Sequence, residues 1–145
     1  MKKIVFVCLG NICRSPMAEF VMKDLVKKLG RESEFIIESR ATSSWEHGNP
    51  IHSGTQKKLR EQEIAYDSQK GSQKITDEDF YEFDKIIAMD ESNLENLKKM
   101  APSGTAQKIE MLLGKDVPDP WFTGDFQETY QLVNLGCQGL LDEIV

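Results

Sequence analysis

An α/β sandwich built on a mostly parallel four-stranded sheet is the fold class this sequence predicts. Apolar runs rich in β-branched residues recur near positions 3–8, 34–39, 85–89 and 108–112. Segments with a helical apolar period or helix-capping signals separate them, and strands alternating with helices favour parallel pairing. At 145 residues and 39% hydrophobic composition, the chain is expected to form one domain, residues 1–145, with room for a sizeable core.

The first run, Lys3 to Cys8, is nearly continuous in apolar residues and suits a strand buried on both faces. A helix should follow at once, with Ser15 as its cap, Pro16 in its first position and Met17, Val21, Leu25 and Leu29 along one face, ending at Gly30. A second strand over Glu34 to Ser39 leads into a polar loop, Arg40 to Pro50, and a weakly amphipathic helix from about His52 to Glu63. Thr76 to Asp79 reads as a capped helix start, Lys85 to Met89 as a third strand, and Ser92 to Glu95 as a capping box whose helix stops at Pro102. A fourth short strand is expected around Lys108 to Leu112. After the Pro118-Asp119-Pro120 turn, Phe126, Tyr130, Val133, Cys137, Leu140 and Ile144 alternate steps of four and three, the signature of an amphipathic helix packed on the sheet.

Composition narrows the classes of function. The formal charge of -6, with no dense Lys/Arg cluster, excludes a nucleic-acid-binding surface, so any anion must be attracted locally. Three cysteines, two of them five residues apart beside a glycine, do not form a disulfide framework and fit a reducing compartment. The apolar run after Met1-Lys2-Lys3 is too short for a signal peptide, and no stretch approaches the roughly 20 apolar residues of a membrane span. A soluble, cytoplasmic protein without a membrane partner is expected.

Ligands of open α/β sheets bind beyond the carboxyl ends of the strands, which directs attention to Cys8-Leu9-Gly10-Asn11-Ile12-Cys13-Arg14-Ser15. Five residues between Cys8 and Arg14 let the backbone curl so that successive amides face one anion, and the following helix adds its partial positive charge. Arg14 offers a planar fork for two phosphate oxygens. The same surroundings favour the thiolate of Cys8, the nucleophilic form. Metal-free phosphate hydrolysis requires this combination together with a proton for the leaving oxygen. The alternative, that Cys8 is merely the last core residue of a strand, is disfavoured by the strand before it, the helix after it and the hydroxyl of Ser15. Cys13 is either a packing residue or a partner that captures oxidised Cys8 as a disulfide, and Cys137 lies on the apolar stripe of the last helix as a core thiol.

With this loop, the Ala88-Met89-Asp90-Glu91-Ser92-Asn93 segment and Asp119-Pro120, the chain resembles the low-molecular-weight protein tyrosine phosphatases over essentially its whole length. The resemblance implies a three-layer sandwich, a four-stranded parallel sheet with helices on both faces, that hydrolyses phosphotyrosine in protein substrates without a cofactor or metal. By position, Cys8 resembles the nucleophile, Arg14 the phosphate-binding arginine, and Asp119 the general acid. Ser15 resembles the hydroxyl that hydrogen-bonds the thiolate. Asn11, with Ser39 and Asp90, resembles the polar network that holds the loop, to which Leu9, Gly10, Ile12 and Cys13 contribute backbone. Some relatives are exported without a signal sequence.

Two departures stand out. Trp121 and Phe122 replace the tyrosines that many members carry after the Asp-Pro pair, which removes phosphorylation there and keeps an aromatic wall. The segment Lys70 to Lys74 lacks the histidine that many relatives place before Ile75-Thr76. Ile12 resembles the tyrosine-specific members rather than the phosphoarginine-specific ones, which carry threonine there. Leu9, Trp45 and Trp121 are then expected to line a slot for a phenyl ring. The rival readings are a phosphoarginine phosphatase, an arsenate reductase on the same fold, and a non-catalytic anion-binding or redox-sensing module. The reductase requires a further cysteine pair between about residues 75 and 95, where there is none. Mere binding requires no Asp119.

Overall fold

A computed structural model describes residues 1–145 as four parallel strands and six α-helices. The strands are β1 (Lys2–Cys8), β2 (Phe35–Ala41), β3 (Lys85–Ala88) and β4 (Ile109–Met111), paired in the order β2-β1-β3-β4. The helices are α1 (Arg14–Lys28), α2 (Ser53–Glu61), α3 (Asp77–Glu82), α4 (Glu91–Met100), α5 (Pro120–Thr123) and α6 (Phe126–Ile144). β1 is therefore a central strand, paired along its length with β2 and through Ile4 to Val7 with β3.

The two-residue period of β1 divides its side chains between two apolar layers. Ile4, Phe6 and Cys8 face the core formed with α1, α2 and α6, where Met17, Phe20, Leu59, Val133 and Cys137 pack. Val5 and Val7 face the opposite core, where Phe80 and Phe83 meet Leu97 of α4. These are the three expected layers, and they explain why β1 reads as an unbroken apolar run: neither face meets water.

Several local details differ from expectation. Cys13 occupies the cap position of α1 without a side-chain capping bond, and Ser15 lies inside the helix with Pro16 third rather than first. The Ser15 hydroxyl is engaged by the preceding loop instead. Leu29 is exposed, because twelve residues beyond Met17 a helix has turned about 120° away from the starting face. The cap of α4 is Asp90, whose side chain accepts from Asn93 N at 2.7 Å, rather than Ser92. The Thr76 to Asp79 capping box is present as read, and α6 carries the full predicted stripe, with Phe126 and Tyr130 half-buried at its start. No helix is long and apolar enough to cross a membrane.

Candidate active site

The loop from Leu9 to Cys13 joins the end of β1 to α1 and is held by its carbonyls. Cys8 O accepts from Thr42 N (2.9 Å), Leu9 O from Ser43 N and Oγ (3.2 and 2.8 Å), Gly10 O from Ser72 Oγ (2.8 Å), Ile12 O from His52 N (2.9 Å) and Cys13 O from Thr55 Oγ1 (3.2 Å). In a trans peptide the N–H points opposite to the C=O. Carbonyls anchored outside the curve therefore turn the following amides inward, where Asn11 N donates to Cys8 Sγ at 3.3 Å. The result is a backbone nest at the N-terminus of a fifteen-residue helix, an arrangement suited to an oxyanion.

Asn11 adopts a left-handed φ of 57°, a conformation that costs an ordinary residue about 1–3 kcal/mol unless its surroundings enforce it. Its side chain supplies that enforcement. Nδ2 donates to Ser15 Oγ (2.8 Å) and Ser39 Oγ (3.0 Å), and Oδ1 accepts from Gln73 N (3.2 Å). Ser15 Oγ lies 3.1 Å from Cys8 Sγ; with Asn11 donating to it, its own proton is available to the sulfur or to Arg40 O at 3.3 Å. Ser39 in turn donates to buried Glu19 Oε1 at 2.6 Å, and Glu19 is flanked by Lys23 (2.6 Å) and Lys70 (3.5 Å). Lys70 Nζ also donates to Ser39 O at 3.3 Å. The segment without a histidine thus braces the loop by other means: Lys70 reaches its underside, Ser72 takes up Gly10 O and Gln73 N engages Asn11.

Arg14 is buried. Its Nη1 donates to Asp90 Oδ2 (2.6 Å) and Val117 O (3.0 Å), and its Nη2 to Asp119 Oδ2 (3.3 Å). Its Nε is buried without a hydrogen-bond partner, a donor that a phosphate oxygen would satisfy. Burial disfavours the guanidinium charge, but Cys8, Asp90 and Asp119 more than offset this and raise its pKa above the ordinary value. The cation is permanent. Cys13 behaves oppositely: burial, reinforced by negative Cys8 and Asp119, pushes its thiol from 9.0 up to about 12 and keeps it neutral. Cys137 is fully buried and its thiol is likewise raised by burial.

Asp119 projects from a turn between two prolines and caps α5, with Oδ1 accepting from Trp121 N at 3.0 Å. That capping bond fixes one carboxylate oxygen and leaves Oδ2 toward Arg14. The turn is held from below by His52, whose ring meets Trp121 edge to face (centroids 5.7 Å) and stacks on Phe126 (5.1 Å). Gly54 admits this packing, since a Cβ there would lie 2.4 Å from the Phe126 ring.

A cleft of about 160 Å³ opens over the loop, lined by Cys8, Leu9, Gly10, Ile12 and Cys13 of the loop segment, by the aromatic Trp45, Trp121 and Phe122, and by Glu46 and Asp119. Trp45 and Phe122 are nearly four-fifths exposed, so the walls stand free for a ligand rather than serving the core. The residues expected to form the site lie in or around one cleft, although Cys8, Ser39, Asp90 and Asp119 come from four segments, while Cys137 lies in the core as expected. Asp90 serves Arg14 rather than Asn11. Glu19, Lys70, Ser72, His52 and Glu46 carried no signal of their own in the sequence, each being an ordinary polar residue until the fold brings it to the loop.

A family model described as low molecular weight phosphotyrosine protein phosphatase matches residues 3–145. The low molecular weight protein-tyrosine-phosphatase YfkJ of Bacillus subtilis is 43% identical over 151 residues, covering 99% of this chain and 96% of that protein. PtpA of Staphylococcus aureus strain MRSA252 is 40% identical over 150 residues, covering 100% of this chain and 95% of its own. Among solved structures, SP-PTP, a low molecular weight protein tyrosine phosphatase from Streptococcus pyogenes, superposes with a TM-score of 0.95 at 56% identity, covering 100% of this chain and 94% of that one. Sequence, fold and the cysteine-arginine loop agree, and the chain belongs to the low molecular weight phosphotyrosine protein phosphatase family.

Proposed function

We propose that this chain, acting as one domain, hydrolyses phosphotyrosine in protein substrates through a phosphocysteine. The observation that carries the reading is that the Cys8 loop, the buried Arg14 fork and the Asp119 carboxyl converge on one cleft with aromatic walls. The loop amides and Arg14 bind the phosphoryl oxygens, and Cys8 Sγ attacks phosphorus in line with the ester oxygen. The S–P bond forms as the P–O bond breaks, and Asp119, protonated, gives its proton to the departing phenolate oxygen. Asp119, now a carboxylate, takes a proton from water as that water attacks the phosphocysteine, which releases inorganic phosphate and restores the thiolate. Ser15, 3.1 Å from Sγ, stabilises the thiolate as the leaving group of this second step.

The apolar lining selects the substrate. Leu9, Ile12, Trp45, Trp121 and Phe122 offer a phenyl ring an extended apolar and aromatic contact surface that the short side chain of phosphoserine does not use. Turnover of matched phosphotyrosine, phosphoserine and phosphoarginine peptides with excess chelator tests the reading: efficient release of phosphate from the first alone is expected, and equal turnover of all three overturns it.

A redox response belongs to the same proposal. A peroxide converts the Cys8 thiolate to a sulfenic acid, and the Cys13 sulfur attacks Cys8 Sγ to form a disulfide as its proton leaves with the sulfenic oxygen in water; the raised pKa of the Cys13 thiol makes this second step slow at neutral pH and faster as pH rises. Peroxide inactivation reversed by dithiothreitol, with loss of two thiols, is expected; irreversible loss would contradict it. Three free cysteines fit a reducing, cytoplasmic setting.

A further inference from the structure

Glu46 is an anomaly at a site built for a dianion. It stands half-buried beside the phosphate loop, its Cγ within 3.4 Å of where a Cβ on Gly10 would lie, and it lines the cleft. Its carboxylate has no ion pair; its one side-chain partner is the neutral Asn49 Nδ2, at 2.6 Å. The cleft's other lining charge, Asp119, is already shared with Arg14. No lysine or arginine lines the mouth. An unpaired carboxylate so close to the loop repels an approaching phosphate, and a cation carried by the substrate relieves that repulsion.

We propose that Glu46 selects phosphotyrosine peptides with a lysine or arginine next to the phosphotyrosine. The inference rests on the phosphotyrosine reading above. Trp45 and Phe122 provide the apolar walls against which the aliphatic stem of such a residue lies, with its charged end at Glu46. Peptides with acidic residues flanking the phosphotyrosine are rejected by the same charge.

The test measures kcat/KM at low and high salt for three phosphotyrosine peptides that differ only in Lys, Ala or Glu beside the phosphotyrosine, with p-nitrophenyl phosphate as a flank-free control. The unmodified protein is expected to favour the Lys peptide over the Glu peptide by about fivefold or more at low salt, less at high salt. Glu46→Gln should level the series and Glu46→Lys invert it, and both should raise kcat/KM for p-nitrophenyl phosphate at low salt, because the charge that repels a phosphate is gone. A level series in the unmodified protein, or a preference that survives Glu46→Gln, overturns the assignment of Glu46. Absence of turnover on every substrate, the control included, overturns instead the phosphatase reading on which it rests.

Discussion

Arg14 Nη2 lies 3.3 Å from Asp119 Oδ2, so the cation proposed to bind phosphate and the carboxyl proposed as general acid are in contact. An incoming phosphoryl group and Asp119 therefore compete for the same edge of the guanidinium. Removing the carboxylate frees that edge: Asp119→Asn should bind inorganic phosphate more tightly, seen as a lower inhibition constant.

The same variant should slow aryl phosphates with poor leaving groups by about 100-fold or more while sparing those with good ones, since general acid catalysis contributes on the order of 100- to 10,000-fold only where the leaving oxygen needs a proton. Equal losses across a leaving-group series would remove Asp119 from the role of acid.

Asp90 holds the other edge of Arg14 at 2.6 Å and caps α4 at the same time. Asp90→Asn preserves an oxygen for the cap but removes the charge from the fork. A charge-assisted hydrogen bond is worth about 1.5–3 kcal/mol, so kcat/KM should fall about 10- to 100-fold, and the thermal midpoint should fall by several degrees because the buried guanidinium loses its ionic partner.

Lys70 acts on the loop from beneath, through Glu19 and Ser39 to Asn11 and thence Ser15. Lys70→Ala should lower kcat by about three- to tenfold, the cost of loosening one part-buried bond, whereas Lys70→Arg should restore most of it. A fall in KM alone, or no effect in either variant, would place Lys70 outside the network.

The neutral thiol of Cys13 links stability to alkaline pH. Its pKa is about 12 in the folded protein against an ordinary 9.0, so between these values the unfolded chain loses a proton that the folded chain keeps. Unfolding is then favoured as pH rises, and this contribution to stability is intact below pH 9.0 and disappears progressively toward about 12. Denaturant melts across that window should show a shallower decline for Cys13→Ala than for the unmodified protein.

The layers of the fold were legible because β1 and α6 carry patterns that have one physical reading: an apolar run buried on both sides, and a stripe at helical spacing. Caps were less legible. Ser15 and Ser92 are good capping residues, yet Ser15 is taken by Cys8 and Asn11, and Asp90, two residues earlier, already caps α4. Cys8 and Arg14 of the loop, with Asp119, were legible together because the proposed phosphate chemistry requires a nucleophile, a cation and an acid. Lys70, Glu19, His52 and Glu46 were not, since their contributions depend on which segments pass beside the loop after folding. Neighbours in sequence do not disclose that Lys70 ends 3.3 Å from Ser39 O, or that His52 links Phe126 to Trp121.

The central claim is that phosphate passes through a covalent bond to Cys8. Rapid quenching of the protein in alkaline denaturant during turnover of a phosphorus-32-labelled aryl phosphate, followed by peptide mapping, tests it most directly. Label on the peptide containing Cys8, stable to alkali, released by iodine and absent in Cys8→Ser, is the predicted result. Continued turnover by Cys8→Ser, or label on any other residue, would contradict the account.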